Sequence, residues 1–424
     1  MIWVMLALPV VLLLLGFPIF LVLLTAASAA LLFYMDIPLA VLHQVMFGGV
    51  DKFSLLAVPF FIFAGEIMGQ GSISRRIVDW VMAMIGRVPG SLGVTTVGTC
   101  TILGAMSGSS PATVAATARL LYPTLRRNGY DESFASALIT SSGSIAIVVP
   151  PSIAMIIYGA VAEQSVPKLF AGGILPGLLI AALLCGYIVL YARARDIRET
   201  SHFSWRALAH ASARSVWALG TPVIILGGIY GGVFSPTEAA GVACVYAAVV
   251  TRLVYRDVTW RKLWETAADS IFLTAQIMII VAAAGVFSWV LTVSGVPQSL
   301  VALIDRFDLS PWMMLLVING LLLLVGCVID PLSAILLLTP LLVPIVDRLG
   351  IDLIHFGIIM TVNLSIGMFT PPFGLNIFVA QAMLGTPLRV LYRGLLPFIV
   401  LQILGLLAIT YLPALTLIPV RMLG

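Results

Sequence analysis

Along most of this chain the apolar residues do not form one face of a helix. They run on all round it, as in helices that are buried or sit in lipid. About 20 such residues cross a hydrocarbon core, and the runs predict helices near 3–33, 53–71, 133–162, 168–192, 216–234, 236–255, 269–293, 353–383 and 390–417. Two further apolar segments, 92–124 and 311–347, are broken at the centre by Ser107-Gly108-Ser109-Ser110-Pro111 and by Asp330-Pro331. Each half is short for a full crossing. Both segments therefore predict re-entrant hairpins that enter and leave on one side, with tips near mid-membrane. The expected fold class is an all-α integral membrane protein.

Composition agrees. The chain has 424 residues, 61% hydrophobic and 9% charged, with mean hydropathy +1.13, whereas soluble domains carry about 25% charged residues. The run from Met1 to Phe33 lacks a basic start and is too long for a signal peptide, so it reads as a first spanning helix. Cys100, Cys185, Cys244 and Cys327 lie singly, with neither metal nor disulfide spacing. The only lysines are Lys52, Lys168 and Lys262, and none follows a glycine, which rules out a P-loop and an ATP-driven motor. The four histidines form no HExxH, and a net charge of +4 implies no nucleic acid.

Orientation follows from the basic residues, which favour the cytoplasmic side. If the loops around 72–91, 125–132, 193–215, 252–268 and 385–393 are cytoplasmic, they and the adjoining hairpin arm hold all 22 basic residues except Lys52, Lys168, Arg306, Arg348 and Arg421. The amino terminus is then inside, the first hairpin enters from the cytoplasm and the second from the opposite side. Residues 196–215 and 258–268 mix arginine with aromatic residues and are expected to lie along the interface as amphipathic arms.

Sliding the chain along itself reveals a repeat. Leu120, Leu121, Pro123, Arg127, Gly129, Asp131, Thr140, Ser144, Ile145, Pro150 and Pro151 meet Leu341, Leu342, Pro344, Arg348, Gly350, Asp352, Thr361, Ser365, Ile366, Pro371 and Pro372. Leucines match by chance in such a chain, but Pro, Gly, Arg and Asp in one order do not. The expected organisation is a first repeat over 1–215, a linking helix over 216–235 and a second repeat over 236–424. The odd extra span inverts the second copy, an architecture characteristic of secondary transporters.

In each copy a hairpin tip pairs with a helix that carries a Pro-Pro break: Ser107–Thr113 with Ser144–Ser152, and Ile329–Ser333 with Thr370–Asn376. Proline removes a donor and clashes with the carbonyl four residues back, so carbonyls near Val148 and Met368 are expected to be freed. Carbonyl and hydroxyl oxygens suit hard cations, and half-helix N-termini suit anions. Asp330 is the sharpest single residue, because a carboxylate in so apolar a run is costly; it is placed to cap the arm that starts at Pro331, to ligate a cation, to take up a proton or to meet a substrate hydroxyl or ammonium. Glu66, Glu238 and Asp269 are weaker candidates, and Glu238 follows Ser235-Pro236-Thr237 as a helix cap. Asn319 and Asn363 are packing or ligand amides, whereas Asn376 sits beside a break. No catalytic set and no GxSxG occurs, which disfavours an intramembrane enzyme; a channel built on re-entrant loops is the other competing class.

The run Ser107-Gly-Ser-Ser-Pro-Ala-Thr-Val, the Val149-Pro-Pro-Ser152 break, Phe234-Ser-Pro-Thr-Glu-Ala-Ala240 and Thr370-Pro-Pro-Phe-Gly-Leu-Asn376 resemble the large membrane subunit of tripartite ATP-independent periplasmic (TRAP) transporters, over essentially the full length. The resemblance implies a sodium-coupled importer of organic acids in the bacterial inner membrane. It also implies two partners, a small four-helix membrane subunit, expected to be a separate chain, and a soluble periplasmic binding protein. The implied fold is an elevator, in which a lipid-embedded scaffold holds still while hairpins and broken helices carry substrate across. One sodium site would then involve Ser107, Gly108 and Ser109 with Ser144, Val148 and Pro150; a second would involve Asp330 with Met368, Thr370 and Gly374. Ser110, Ser152, Asp330, Thr370 and Asn376 would face the substrate.

Overall fold

Glycine and proline decide where the apolar runs break. The computed structural model describes residues 2–35, 37–38, 40–70, 72–86, 88–197, 203–296, 299 and 310–423, and its described regular structure is helical. The expected first span is cut at Gly16 and Pro18 into α1 (Ile2–Leu14) and α2 (Ile19–Tyr34), which pack on each other. A helix not expected from the sequence, α3 (Ala40–Val50), follows, and the chain bends by 62° before α4 (Ala57–Gln70). The stretch 72–91, expected as a loop, contains α5 (Ile73–Ile85), whose Ile73, Ile77, Val78 and Val81 are buried while Arg75 and Asp79 are exposed. This is an amphipathic helix, too charged to cross.

The first interrupted segment forms α6 (Ser91–Ser107) and α7 (Ser110–Arg127), and the first Pro-Pro helix forms α8 (Glu132–Ser142), a 3-10 stretch to Ile147 and α9 (Ile153–Val161). After α10 (Val166–Ala194) come α11 (Trp205–Tyr230), α12 (Pro236–Val249) and α13 (Trp260–Val293). Here two boundaries differ from expectation. The arms end in the spans themselves, because nothing breaks the helix at Ser215-Val216 or at Ala268-Asp269; α13 is one helix of 34 residues. At 1.5 Å per residue it is roughly 51 Å long, well beyond a hydrocarbon core of about 30 Å. Arg87, Arg198 and Arg306, and positions 198–202 of the first arm, lie outside the described residues.

The second half gives α14 (Pro311–Gly326), α15 (Pro331–Arg348), α16 (Leu353–Gly367), α17 (Leu375–Leu384), α18 (Leu388–Tyr411) and α19 (Ala414–Arg421). The expected helix 390–417 ends early, at Leu412-Pro413. Among the described residues, α10, α11, α12 with its continuation to Val254, α13, α15 and α18 are long and apolar enough to cross a membrane; α15 thus differs from the expectation that each half of 311–347 is too short, because its helix runs on to Arg348.

Matched positions of the two halves do the same local work. Arg127 and Arg348 sit in the last turns of α7 and α15, where a cation suits the negative helix end. Gly129 and Gly350 turn the chain at φ +85° and +71°, a region costly for other residues. Asp131 and Asp352 then accept backbone N–H groups as the N-caps of α8 and α16. Both Pro-Pro bonds, Pro150-Pro151 and Pro371-Pro372, are cis.

Packing sorts the helices into two groups that cut across the sequence halves. In one, α13 packs on α2, α3 and α4, α12 on α4 and α11, and α11 on α5. In the other, α6 to α10 pack with one another and with α14 to α19: α8 on α18, α7 on α17, α9 on α15, and α10 on α16, α18 and α19. The groups meet where α6 touches α4 and α5, and where α15 touches α13.

Two backbone crossings hold the second group tight. A Cβ on Gly104 of α6 would lie 2.5 Å from Ala146 Cα, and one on Gly367 of α16 would lie 2.4 Å from the carbonyl carbon of Gly326 at the end of α14. Gly367→Ala must therefore push α14 from α16, at a cost of about 1–3 kcal/mol. Gly320→Ala, with nothing within 4 Å of its Cβ, should be neutral or slightly stabilising. Thermal unfolding in detergent checks both; equal melting temperatures would mean the crossing carries no strain.

Candidate functional site

Each helix interruption, the tip at 107–110 and the tip at 327–330, meets its Pro-Pro break through main chain. At the first tip, Gly108 has φ +59°, and a Cβ there would stand 3.1 Å from Pro151 O and 3.3 Å from Ile153 N. Only glycine lets this tip lie flat on the Pro-Pro break. At the second, the Gly374 amide donates to Cys327 O at 3.2 Å, and the Asn376 amide donates to Met368 O at 2.9 Å. In the second pair, groups left over by the interrupted helices thus partner both across tip and break and within the break.

The predicted residues fall as follows. Ser107 Oγ accepts from Ser109 N at 3.3 Å and lies 3.4 Å from Thr113 Oγ1, all within the first tip. Ser144 Oγ is 2.7 Å from Ser141 O and 3.2 Å from Gln402 Oε1 of α18. Ser152 caps α9 and donates to Ile147 O at 2.6 Å. Pro150 is buried in the break, but Val148 O stands only 2.7 Å from the Cβ position of Gly173, so it is turned toward α10. Met368 O and Thr370 O converge, 2.9 and 3.1 Å from the Cβ position of Gly374. Met368 O is not free as expected, since it takes the Asn376 amide; a carbonyl has a second lone pair for another partner. Thr370 Oγ1 bonds back to Ile366 O at 2.7 Å.

Asp330 caps α15, accepting from Leu332 N and Ser333 N at 3.1 Å each. It is half-buried and lines a cavity of about 320 Å³ with Cys327, Met368, Phe373 and Gly374. Tip and break of the second pair thus share one space, and Asp330 is its only carboxylate. Asn376 joins the two pairs. Its main chain belongs to the second break, while its side chain reaches the first tip: Nδ2 donates to Ser110 Oγ at 2.7 Å and to Thr140 O at 3.3 Å, and Ser110 Oγ is 3.1 Å from Oδ1. No contact among the described residues brings Ser110 or Ser152 to Asp330.

Helices α7, α15, α9 and α17 all start at a tip or a break, which gathers their positive dipole ends there. The chemistry on offer is oxygen ligation of a hard cation and dipole binding of an anion. Among the described residues no group of three or more His, Cys, Asp or Glu comes together as a metal site.

Of the weaker candidates, Glu238 forms a capping box with Ser235, and Asn363 Nδ2 donates to Asn319 O and Oδ1. Gln402 escaped the sequence reading. Its signal was there, a lone amide in the apolar run of α18.

These features define a multi-pass, all-helical membrane transporter. A solved transporter, YdaH of Alcanivorax borkumensis, has a similar fold: TM-score 0.65 at 15% identity, over 95% of this chain and 97% of that one. Residues 6–415 match the family described as tripartite ATP-independent periplasmic transporter, DctM component, and the chain belongs to that family. Its relatives include the C4-dicarboxylate TRAP transporter large permease protein DctM of Pseudomonas aeruginosa, 42% identical over 372 residues (88% of this chain, 87% of that protein). The ectoine/5-hydroxyectoine large permease UehC of Ruegeria pomeroyi is 41% identical over 412 residues, 96% of each chain. The chain is thus a large permease, a transport subunit.

Asn376→Ala should leave the buried Ser110 hydroxyl without its partner, at a cost of about 1–3 kcal/mol. Unfolding in detergent measures this; an unchanged stability would show that Ser110 finds another acceptor.

Proposed function

We propose that this permease imports an organic acid across the bacterial inner membrane, driven by sodium and supplied by a periplasmic binding protein, together with a small membrane subunit. The observation that carries the reading is the second tip–break pair, where Asp330 and Met368 line one cavity and Thr370 O lies beside Met368 O at Gly374. Carbonyls and one carboxylate match a small hard cation, and the sodium is a co-substrate here. In the first pair, Ser107, Gly108 and Ser109 with Ser144, Pro150 and the Pro151 carbonyl supply the second sodium site; the orientation of Val148 O toward α10 favours Pro151 O in its place. Ser110, Ser152, Thr370 and Asn376 border the substrate, with helix N-termini holding its carboxylate. The Pseudomonas relative's dicarboxylate supports an acid as cargo, and the Ruegeria relative's ectoine leaves its identity open.

The same reading gives the motion. The matched Arg, Gly and Asp jobs support an inverted repeat, with the α6–α7 and α14–α15 pairs as re-entrant hairpins. The two packing groups support an elevator, with α6–α10 and α14–α19 moving against a scaffold of α2–α5 and α11–α13. The test is uptake into proteoliposomes holding the complete complex. An inward sodium gradient should drive accumulation; uptake that ignores sodium and follows protons would replace the coupling ion. Asp330→Asn keeps a capping oxygen, and Asn caps about as well as Asp. It should fold normally yet lose at least tenfold in uptake. Near-normal uptake with unchanged sodium dependence would leave Asp330 a cap alone.

A further inference from the structure

A cavity of about 720 Å³ lies between α4 and α5 on one side and the arm α7 on the other. One face of α7 forms its long wall. Ala112, Ala115, Ala116 and Arg119 recur at helical spacing, so small side chains leave room and a guanidinium ends the row. Gly65 and Gly69 of α4 lie opposite. An adjoining smaller space shares those glycines with Ala112 and Ala116 and extends to Ser107 and Thr113 at the first tip. That space is about 20 Å³, room for roughly one water, so the cleft ends close to the tip without opening on it, and its other end, the mouth, carries Arg75, Arg119 and Lys262. The arginine distribution assigns this mouth to the cytoplasm.

The charges do not cancel. Glu66 is the one carboxylate on the wall, and it has an interaction of its own. Lys262 pairs with Glu265 at 3.7 Å, and Arg75 acts on Asp79 one turn along α5. Arg119 makes no ion pair among the described residues. The general excess of arginine on cytoplasmic faces explains cations at a surface. It does not explain why they end a groove walled with glycine and alanine that approaches a tip.

We propose that this cleft is a transient station for an organic anion, where a carboxylate or sulfonate head leaving the first tip is drawn to Arg119, Arg75 and Lys262 before it enters the cytosol. The proposal rests on the anion-transport reading and adds to it a release route and the residues that steer it. Clefts lined by one sign of charge raise the local concentration of counter-ions, and salt weakens the effect.

The test uses Ala116→Cys in the full-length permease in inside-out vesicles. It compares a sulfonate-bearing with a trimethylammonium-bearing methanethiosulfonate reagent, each rate divided by that on mercaptoethanol. The natural protein, whose four cysteines are buried or half-buried, gives the blank. The anionic reagent should be favoured by about tenfold at low salt, less at high salt, and Arg119→Gln should remove most of the preference. Equal rates, a preference for the cation, or a preference untouched by Arg119→Gln would overturn the proposal, as would failure of both reagents to reach Ala116→Cys and Ala112→Cys alike. Labelling needs no cargo, sodium gradient or partner. A failed uptake assay with the anion preference intact would therefore count against the transport reading and leave the anionic cleft standing.

Discussion

A backbone amide or carbonyl in hydrocarbon must find a partner inside the protein, and that requirement governs this fold. Ordinary spanning helices meet it internally. The interrupted ones cannot, so their loose ends are brought together: Gly374 N to Cys327 O, Asn376 N to Met368 O, and the Gly108 tip laid against Pro151 and Ile153. The geometry that solves the partner problem also concentrates carbonyl oxygens and helix starts in the protein interior. A cation and an anion are the natural guests of such places. The site is thus what remains when broken helices are made tolerable.

Close approach is the second condition, and it explains the glycines. Gly326 against Gly367 and Gly104 against Ala146 bring helix backbones together with no side chain between them, the packing that small residues permit in membranes. Among the described residues, the Asn376 side chain ties the pairs together, so that the first tip and the second break are not independent.

Much of this was legible in the sequence because the signals were chemical rather than periodic. Asp330-Pro331 and the two Pro-Pro pairs combine a helix start or doubled proline with an apolar run, and the helices are interrupted where those breaks were expected. The aligned Arg127, Gly129 and Asp131 and their counterparts proved to be a helix end, a left-handed turn and a cap. Weak breakers were missed. Gly16 and Pro18 divide an unbroken apolar run, while the arms before α11 and α13 contain no breaker and so continue into their spans. Helix α5 was invisible to a search for long apolar runs because half its face is charged. Side-chain partners were beyond the sequence altogether. Nothing in Ser110 or Asn376 announces that they meet across 266 positions.

The central claim is that sodium binds where tips meet breaks, and hydrogen–deuterium exchange of the intact complex tests it without cargo or flux. Replacing choline chloride with sodium chloride at equal ionic strength should slow exchange at 107–110, 147–153, 327–333 and 368–376. Exchange in α2, α3 and α13 should stay as it was. Exchange unchanged by sodium in all four segments would contradict the account.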